Sequence, residues 1–233
     1  MASQAPSTYD LSRDRLTAYF DGTARKAWED LTGDAKVSGI RATVRAGRDS
    51  MRAALLGWLP DDLGGVRLLD AGCGTGALSV DAAARGASVT AIDVAGGLVD
   101  IAARRAPSFP GEGRIDWRTG DMLDPALGDY DHVVAMDSLI HYSPRDLVTA
   151  IVALAPRCRR SILFTVAPKT PLLTLMHRAG KLFPRADRSP AIVPVAEGKL
   201  RAMLGPMPGW RIARSHRVNS GFYMSHAFEL VRD

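Results

Sequence analysis

Three glycines at alternate positions follow an acidic residue in the stretch VRLLDAGCGTGALSV, residues 66–80. Gly72, Gly74 and Gly76 permit a tight turn between a strand and a helix, and they let a ligand approach the backbone closely. Such a loop suits a nucleotide-like cofactor, but the spacing Gly72-x-Gly74-x-x-Ala77 also fits the pattern of dinucleotide-binding proteins. The glycines alone therefore leave several nucleotide-like ligands open.

Asp70 narrows this choice because it lies two residues before Gly72, where the pyrophosphate of a dinucleotide would meet a like charge. S-adenosylmethionine carries a cationic sulfonium and a cationic ammonium group, and both suit an acid at this position. The loop therefore predicts an S-adenosylmethionine site, with S-adenosylhomocysteine as the product. Its predicted cofactor-binding residues are Asp70, Gly72, Cys73 and Gly74.

Further polar residues follow the next predicted strands. Asp93 ends the stretch TAIDV, where a carboxylate accepts hydrogen bonds from ribose hydroxyls, and Val94 comes directly after it. Asp121 and Met122, in GDML, are predicted near the adenine, although a capped loop with a core methionine explains them equally. Asp137 is predicted to meet the ammonium of the cofactor's methionine end, or else it simply ends its strand.

These residues need a scaffold in which strands and helices alternate. The predicted strands are VRLLDA, SVTAID, RIDWRTG, HVVAMD and SILFTVAP, and the helices between them are ALSVDAAARG, AGGLVDIAARRA and RDLVTAIVALAP. This alternation predicts an α/β fold, a mostly parallel sheet covered by helices, with ligands at the carboxyl ends of the strands. Near the end of the chain, WRIARSHRV and YMSHAFELV are predicted strands joined by a hairpin turn at NSGF.

Segments outside this alternation are predicted to be helical. LTAYFDGTARKAWEDL and GIRATVRAGRDSMRAALLGWL carry apolar residues at helical spacing, namely Leu16, Phe20 and Ala24 in the first and Ile40, Val44, Met51, Leu55 and Trp58 in the second. They form a predicted N-terminal helical extension or lid over residues 1–60. Residues 61–233 form the predicted catalytic domain. Within it, residues 168–204 form a helical insertion over the substrate site, which begins with TPLLTLMHRAGKLF.

The core motifs LLDAGCGTGALS, AIDV and GDML resemble those of class I S-adenosylmethionine-dependent methyltransferases over roughly residues 60–165. That family implies a Rossmann-like, seven-stranded sheet whose last strand is antiparallel. Five further segments resemble the magnesium-protoporphyrin IX O-methyltransferases of (bacterio)chlorophyll synthesis along essentially the whole chain. They are YFDGTARKAW, VRAGRDSMRAALLGWL, DSLIHY, FTVAPKTPLL and GKLFPRADRSP. This resemblance implies methyl transfer to one propionate of magnesium protoporphyrin IX, which gives the monomethyl ester.

Such an acceptor needs no strong general base, because a propionic acid with a pKa of about 4.3 is already ionised at pH 7. Catalysis then depends on alignment and on the exclusion of water. Given the resemblance, His141 in DSLIHY is the predicted catalytic residue, which orients the propionate or the cofactor's methionine end. Tyr142 is a candidate substrate contact, with packing as the alternative.

A flat, apolar macrocycle needs an apolar wall, and the segment after Thr170 offers Leu172, Leu173 and Met176. Arg185 and Arg188 would attract the second propionate, although a solvated face explains them equally. From the N-terminal side, Tyr19 is predicted to touch the cofactor and Arg45 its carboxylate, both of which also fit ordinary helix positions. No protein-bound metal is predicted, because magnesium arrives with the substrate.

Charge and composition limit the partners. Residues 1–155 carry 16 Lys and Arg against 21 Asp and Glu, whereas residues 156–233 carry 14 against 4. The basic C-terminal part predicts an anionic ligand or an anionic membrane surface. No stretch reaches the ~18–20 apolar residues of a membrane span, and Cys73 and Cys158 lack metal-ligand spacing, which together predict a cytoplasmic protein. The family context adds magnesium chelatase subunits and peripheral contact with photosynthetic membranes.

Two alternatives keep part of this interpretation. One is a small-molecule O-methyltransferase that acts on a quinone precursor or a phenol, for which a base such as His141 becomes essential, since phenols have a pKa near about 10. The other is a non-catalytic tetrapyrrole carrier on the same fold. A nucleic-acid partner is not predicted, because MDSLIHY lacks the Asn/Asp-Pro-Pro-aromatic motif typical of DNA amino-methyltransferases.

Overall fold

The computed structural model describes residues 6–22, 39–109, 111–169 and 192–233. These residues form seven strands: β1 (Arg67–Ala71), β2 (Ser88–Asp93), β3 (Arg114–Thr119), β4 (Tyr130–Ala135), β5 (Cys158–Val166), β6 (Trp210–Ser220) and β7 (Tyr223–Arg232). The described helices are α1 (Thr8–Asp21), α2 (Gly39–Leu56), α3 (Ala77–Ala84), α4 (Gly96–Arg105), α5 (Pro144–Leu154) and α6 (Glu197–Leu204).

All seven strands join one sheet in the order β3-β2-β1-β4-β5-β7-β6. The pairs β2–β3, β1–β2, β1–β4 and β4–β5 are parallel, whereas β7 runs antiparallel to both β5 and β6. The predicted α/β fold and its antiparallel last strand are therefore confirmed. The hairpin turn also lies where the sequence places it, because Ser220 pairs with Tyr223 and Gly221 takes a φ of 57°.

Apolar residues on both faces of the central strands hold the layers together. In β1, Leu69 packs in one buried cluster with residues of α1, α5 and α6, while its neighbour Leu68 packs in a second cluster with residues of α2 and α3. Successive side chains of a strand point to opposite faces, so a sheet covered on both sides needs such continuous apolar strands. The result is a sheet between two helical layers.

Helix α1 differs from its prediction. The apolar spacing placed a helix at residues 16–31, but α1 begins at Thr8 and ends at Asp21. The Ser7 side chain accepts from the backbone of Asp10 and the Asp10 carboxylate accepts from the backbone of Ser7, a capping box that satisfies two otherwise unpaired amides. Leu16 is buried and Phe20 packs against the core, whereas Ala24 lies outside the described residues.

Helix α2 is confirmed over most of its predicted length. Met51 and Leu55 are buried, but Ile40 is 57% exposed and Trp58 lies beyond the helix end at Leu56. Gly47 brings the helix very close to the β6–β7 hairpin, since a Cβ atom there would lie 2.5 Å from the ring of Tyr223. The boundary at residue 60 between the N-terminal helical extension and the catalytic domain stays a prediction. So does the helical insertion over the substrate site at residues 168–204, of which residues 170–191 lie outside the described part.

Candidate active site

A cavity of about 610 Å³ opens at the carboxyl ends of β1, β2 and β4. Strands β1 and β4 are neighbours whose helical connections leave on opposite sides, which is where open α/β sheets bind ligands. The glycine loop after β1, the end of β2 and residues 136–142 after β4 form its floor, and α1, α2 and the β6–β7 turn form its walls. Its size lies within the range of ordinary small-molecule sites.

The glycine loop has the form that the sequence predicts. The amides of Gly72 and Cys73 both donate to the carbonyl of Ile92, at 2.8 and 3.0 Å, which turns the chain out of the sheet. Gly74 has a φ of 54°, and a Cβ atom there would meet nothing within 4 Å. The backbone at Gly74 is therefore open to close approach by a ligand.

Asp70 lines the cavity floor but is only 2% exposed. The hydroxyl of Ser79 donates to its carboxylate at 2.6 Å. Burial, more than any other effect, raises the pKa of Asp70 to about 7, and the charge of Asp93 adds to the rise. A cation bound in the cavity would favour the ionised form, so the predicted role of Asp70 fits this position.

Asp93 links the glycine loop to the end of β2 by hydrogen bonds. Its two carboxylate oxygens accept from the amides of Gly74 and Ala95, both at 2.9 Å. Burial raises the pKa of Asp93, while these amides act in the opposite direction. Because each carboxylate oxygen can accept two hydrogen bonds, the acceptor capacity for a ribose remains. Val94 lines the cavity beside it.

The buried hydroxyl of Ser138 also bears on whether the cavity fits S-adenosylmethionine. Its Oγ is buried and has no hydrogen-bond partner among the described residues. Its Cβ packs so close to Gly72 that a side chain at position 72 would collide with it. A buried hydroxyl without a partner is costly, so a polar ligand group in this cavity would satisfy it. The open backbone of Gly74, the acceptors of Asp93 and this hydroxyl together fit a nucleoside with an amino-acid end.

Asp121 and Met122 separate in the structure. Met122 is buried and lines the cavity, whereas Asp121 is not among the lining residues. The hydroxyl of Tyr9 and the guanidinium of Arg13 donate to the Asp121 carboxylate, at 2.8 and 2.9 Å. Asp121 thus fastens α1 to the loop after β3, and its contact with the adenine stays a prediction.

His141 lines the cavity, at the end of a short 3-10 turn over Leu139–His141. Its ring meets the ring of Phe20 from α1 edge to face, with 5.9 Å between centroids. Tyr142 also lines the cavity but is 2% exposed, and its ring stacks on Tyr9 at 4.9 Å. The contact of His141 with an acceptor therefore stays a prediction, while packing accounts for most of the surface of Tyr142.

The two predicted contacts from the N-terminal helices also reach the cavity. Tyr19 lines it from α1 and packs edge to face on Phe20, with centroids 5.1 Å apart, and burial raises the pKa of its phenol. Arg45 lines it from α2. Their roles toward the cofactor stay predictions that this placement supports.

Asp137 carries contacts that the sequence did not indicate. The hydroxyl of Tyr223 donates to both of its oxygens, at 3.0 and 3.1 Å, and Arg48 forms an ion pair with it at 3.2 Å. Thr165 accepts from the Asp137 amide at 2.7 Å. Arg48 lies one helical turn after Arg45, and Tyr223 directly follows the hairpin turn. In the sequence, these two positions are the only sign that Arg48 and Tyr223 could contact Asp137.

The predicted porphyrin wall lies outside the described residues. This holds for Leu172, Leu173, Met176, Arg185 and Arg188. Within the described ranges, no group of three or more His, Cys, Asp or Glu residues is arranged to hold a metal ion. None of the helices described there is both long and apolar enough to span a membrane.

Comparisons with known proteins identify the family. Residues 135–232 match the family described as magnesium-protoporphyrin IX methyltransferase C-terminus, and residues 68–160 match a methyltransferase domain family. The chain is 48% identical over 225 residues to the magnesium-protoporphyrin O-methyltransferase of Rhodobacter capsulatus, covering 96% of this chain and 98% of that protein. The chain belongs to the magnesium-protoporphyrin O-methyltransferase family.

Other relatives agree with this membership. The family member from Synechocystis sp. is 32% identical over 92% of this chain and 94% of its own. A crystal structure of magnesium protoporphyrin IX methyltransferase from Synechocystis PCC 6803 with bound SAH superposes with a TM-score of 0.80. It is 31% identical and covers 94% of this chain and 99% of that chain. The class I methyltransferase fold, which the resemblance of the core motifs implies, is thereby confirmed.

Proposed function

We propose that this protein transfers the methyl group of S-adenosylmethionine to one propionate carboxylate of magnesium protoporphyrin IX, which gives the monomethyl ester. The observation that carries the proposal is a single cavity in which the glycine loop, Asp93 and His141 meet. The chain around that cavity is 48% identical, over nearly its whole length, to a relative named for this activity.

Different residues of the cavity would bind the cofactor and orient the acceptor. Gly74 and Asp93 would hold the nucleoside end of the cofactor, and Asp137, which lines the same cavity, would meet its methionine end. When bound, the cofactor supplies a methyl group activated by its sulfonium. The acceptor carboxylate is ionised at neutral pH, so the protein needs to orient an oxygen rather than remove a proton. His141, which lines the cavity, would provide that orientation.

Exclusion of water is the second contribution of the protein. Leu16 and Phe20 from α1 and Met122 and Ile140 from the floor give the cavity an apolar lining around His141. Removing water from a carboxylate makes it a stronger nucleophile, and a low-dielectric site strengthens the interactions that align it. Helix α1 therefore acts in this proposal as part of the catalytic enclosure.

The test is a discontinuous assay with S-adenosylmethionine and three acceptors: magnesium, zinc and metal-free protoporphyrin. Mass spectrometry then looks for one added methyl group. We expect a monomethyl ester from the magnesium form and less from the metal-free form. If S-adenosylhomocysteine binds but no acceptor gives an ester, the acceptor assignment is wrong and the methyltransferase assignment stands.

The pH dependence separates this acceptor from a phenol. A carboxylate is ionised from about pH 5 upward, whereas a phenol with a pKa near about 10 needs a base. We therefore expect a rate that lacks the steep rise toward pH 9 of a phenol methyltransferase. A carrier protein would form no methylated product in either case.

We further propose that the enzyme receives its substrate from magnesium chelatase subunits and works in peripheral contact with photosynthetic membranes. The excess of ten positive charges in residues 156–233 supports contact with an anionic surface. Cosedimentation with phosphatidylglycerol vesicles, against neutral phosphatidylcholine vesicles, tests the membrane contact. Binding to both or to neither contradicts it. A pull-down with purified chelatase subunits tests the other partner.

A further inference from the structure

Two apolar side chains that line the cavity are exposed to solvent. Among the residues that the structure describes, the exposed large apolar side chains are those of Leu11, Ile40, Val152, Ile192 and Phe222. Phe222, at 53%, and Ile192, at 39%, line the cavity, and the other three do not. A side chain that both lines a cavity and meets solvent lies at its mouth. Single exposed apolar residues are common on protein surfaces, but exposed apolar surface at a binding cavity indicates contact with an apolar ligand.

The β6–β7 turn holds Phe222 in this exposed position. Ser220 pairs with Tyr223, so Gly221 and Phe222 are the two central residues of the turn. The hydroxyl of Ser220 donates to the carbonyl of Thr43 in α2 at 2.9 Å, and the side chain of Tyr223 is buried. Asn, Asp and Gly are typical of such turns, so the turn itself does not require an aromatic ring. The flanking residues are therefore anchored, while about half of the Phe222 side chain is left for a ligand.

A backbone hydrogen bond places Ile192 beside the loop that follows β4. The amide of Val193 donates to the carbonyl of Ile140 at 2.8 Å. Ile140 also lines the cavity, and it directly precedes His141. Ile192 therefore belongs to the side of the cavity on which the acceptor is proposed to react.

The volume of the cavity limits how much of the acceptor can enter it. A volume of about 610 Å³ lies in the range that buries one drug-sized ligand, and S-adenosylmethionine alone is a ligand of that class. A propionate arm, with two methylene groups and a carboxylate, is narrow enough to enter beside the cofactor, whereas the macrocycle is far wider. The ring would then stay at the mouth, with a flat apolar face against the side chains that are exposed there.

We propose that Phe222 and Ile192 bind the flat face of the acceptor macrocycle at the mouth of the cavity, and that the ring of Phe222 stacks on it. Aromatic rings favour offset stacking, and the contact removes apolar surface of both partners from water. The inference rests on the proposed acceptor and assigns recognition of its ring, as distinct from its propionate, to these two residues. They determine specificity, because a carboxylic acid without a macrocycle would gain nothing from them.

Porphyrin binding measured without turnover tests the proposal. Magnesium protoporphyrin IX is titrated against protein saturated with S-adenosylhomocysteine, at a fixed detergent concentration, and the porphyrin's own fluorescence reports the bound fraction. We expect Phe222→Ser to weaken porphyrin binding roughly tenfold and Ile192→Ser to weaken it several-fold, because buried apolar area and the stacked ring are lost. Phe222→Trp should keep the affinity, since it keeps an aromatic face. Calorimetry should show unchanged affinity for S-adenosylhomocysteine in all three variants.

Val152→Ser is the matched control, because Val152 on α5 is also exposed but does not line the cavity. It should leave porphyrin binding unchanged. The proposal is overturned if Phe222→Ser and Ile192→Ser bind the porphyrin as the unaltered protein does, or if Val152→Ser weakens binding equally. It is also overturned if these two variants lose affinity for S-adenosylhomocysteine to the same extent, since the whole cavity would then be distorted.

Two further outcomes identify other roles for this surface. If Phe222→Ser changes the oligomeric state in sedimentation but not porphyrin binding, the exposed ring serves a contact between copies of the chain and the proposal is wrong. If the unaltered protein binds S-adenosylhomocysteine but not the porphyrin, the proposed acceptor is wrong, and this inference falls with it.

Discussion

At the scale of single residues, Asp70 links protein stability to pH. Burial raises the pKa of its carboxyl group from 3.8 to about 7, so the folded state favours the protonated form. As pH rises from about 4 to about 7, ionisation of Asp70 in the unfolded chain costs the folded state stability, and above about pH 7 the cost is constant. In Asp70→Asn the amide oxygen still accepts from Ser79, but no charge forms.

We therefore expect ligand-free Asp70→Asn to gain stability over the unaltered protein, by a margin that grows with pH between about 4 and 7. The margin should reach at most about 4 kcal/mol, since each pKa unit is worth about 1.4 kcal/mol. Thermal melts at pH 5 and pH 8 measure it. S-adenosylmethionine should bind the variant more weakly, because the carboxylate that is predicted to favour its cationic sulfonium is gone. A stability margin independent of pH would contradict the argument.

His141→Gln tests the acceptor side of the cavity. If the imidazole orients the propionate, kcat should fall roughly tenfold to a hundredfold while S-adenosylhomocysteine affinity stays unchanged, because alignment affects only the reacting complex. If it orients the methionine end, the affinity falls as well. His216→Gln, an exposed histidine on β6 outside the cavity, is the control. Unaltered kcat and affinity would contradict both roles.

The sequence predicts site residues that share a short motif, but not residues that meet only in the folded protein. The positions of the glycine loop and Asp93 at the ends of their strands were predictable because they depend on local spacing. Arg48, Tyr223 and Asp137 meet only after α2, β7 and β4 have packed, so no short motif joins them. Asp121 illustrates the same limit, since its partners Tyr9 and Arg13 are more than 100 positions away along the chain.

At the scale of secondary-structure elements, α1 is held beside the cavity by polar contacts with the first turn of α5, the loop after β3 and the first turn of α4. Thr8 donates to Asp146 at 2.6 Å, Tyr9 and Arg13 donate to Asp121, and the amide of Gly97 donates to Asp21 at 2.8 Å. The apolar spacing identified its core residues but placed its start at Leu16 instead of Thr8, and residues 23–31 of the predicted helix lie outside the described part. The capping box at Ser7 and Asp10 was present in the sequence and would have marked the start.

We expect Asp121→Ala to loosen α1 specifically. The hydroxyl of Tyr9, on a side chain that is 8% exposed, would lose its acceptor, which costs about 1–3 kcal/mol for a buried polar group. Hydrogen exchange should accelerate in α1 while the sheet strands stay protected. Asp14→Ala removes an exposed acid of α1 that also pairs with Arg13, and it should change little, because surface ion pairs contribute little. Equal acceleration in both variants would contradict this view of α1.

At the scale of the whole molecule, the sheet brings together residues that are far apart in sequence. The strand order places β1 beside both β2 and β4, so three loops converge although they are separated by up to 70 residues. The alternation of strands and helices predicted this arrangement, because parallel strands need helical crossovers of one hand. It could not predict how the N-terminal helices line the cavity, since their polar contacts join residues that are far apart in the sequence.

Charge also acts at the scale of the whole molecule, because its field extends beyond single contacts. The proposed acceptor carries two carboxylates, whereas the amino-acid end of S-adenosylhomocysteine is a zwitterion without net charge. The excess of ten cationic side chains in residues 156–233 should therefore attract the porphyrin through a field that salt screens, with a Debye length of ~10 Å at 0.1 M. We expect KM for the porphyrin to rise several-fold between about 50 mM and about 500 mM NaCl at a fixed detergent concentration.

The affinity for S-adenosylhomocysteine should stay nearly constant over the same range, because its contacts are short and its charges balance. The double variant Arg185→Glu, Arg188→Glu should raise KM at low salt and flatten the salt dependence, since it removes two of the attracting cations and adds two anions. Asp61→Lys, Asp62→Lys, a charge change of equal size and opposite sign on exposed residues far along the sequence, should lower KM if the field alone acts. A salt-independent KM in the unaltered enzyme would show that the basic residues serve only as a solvated surface.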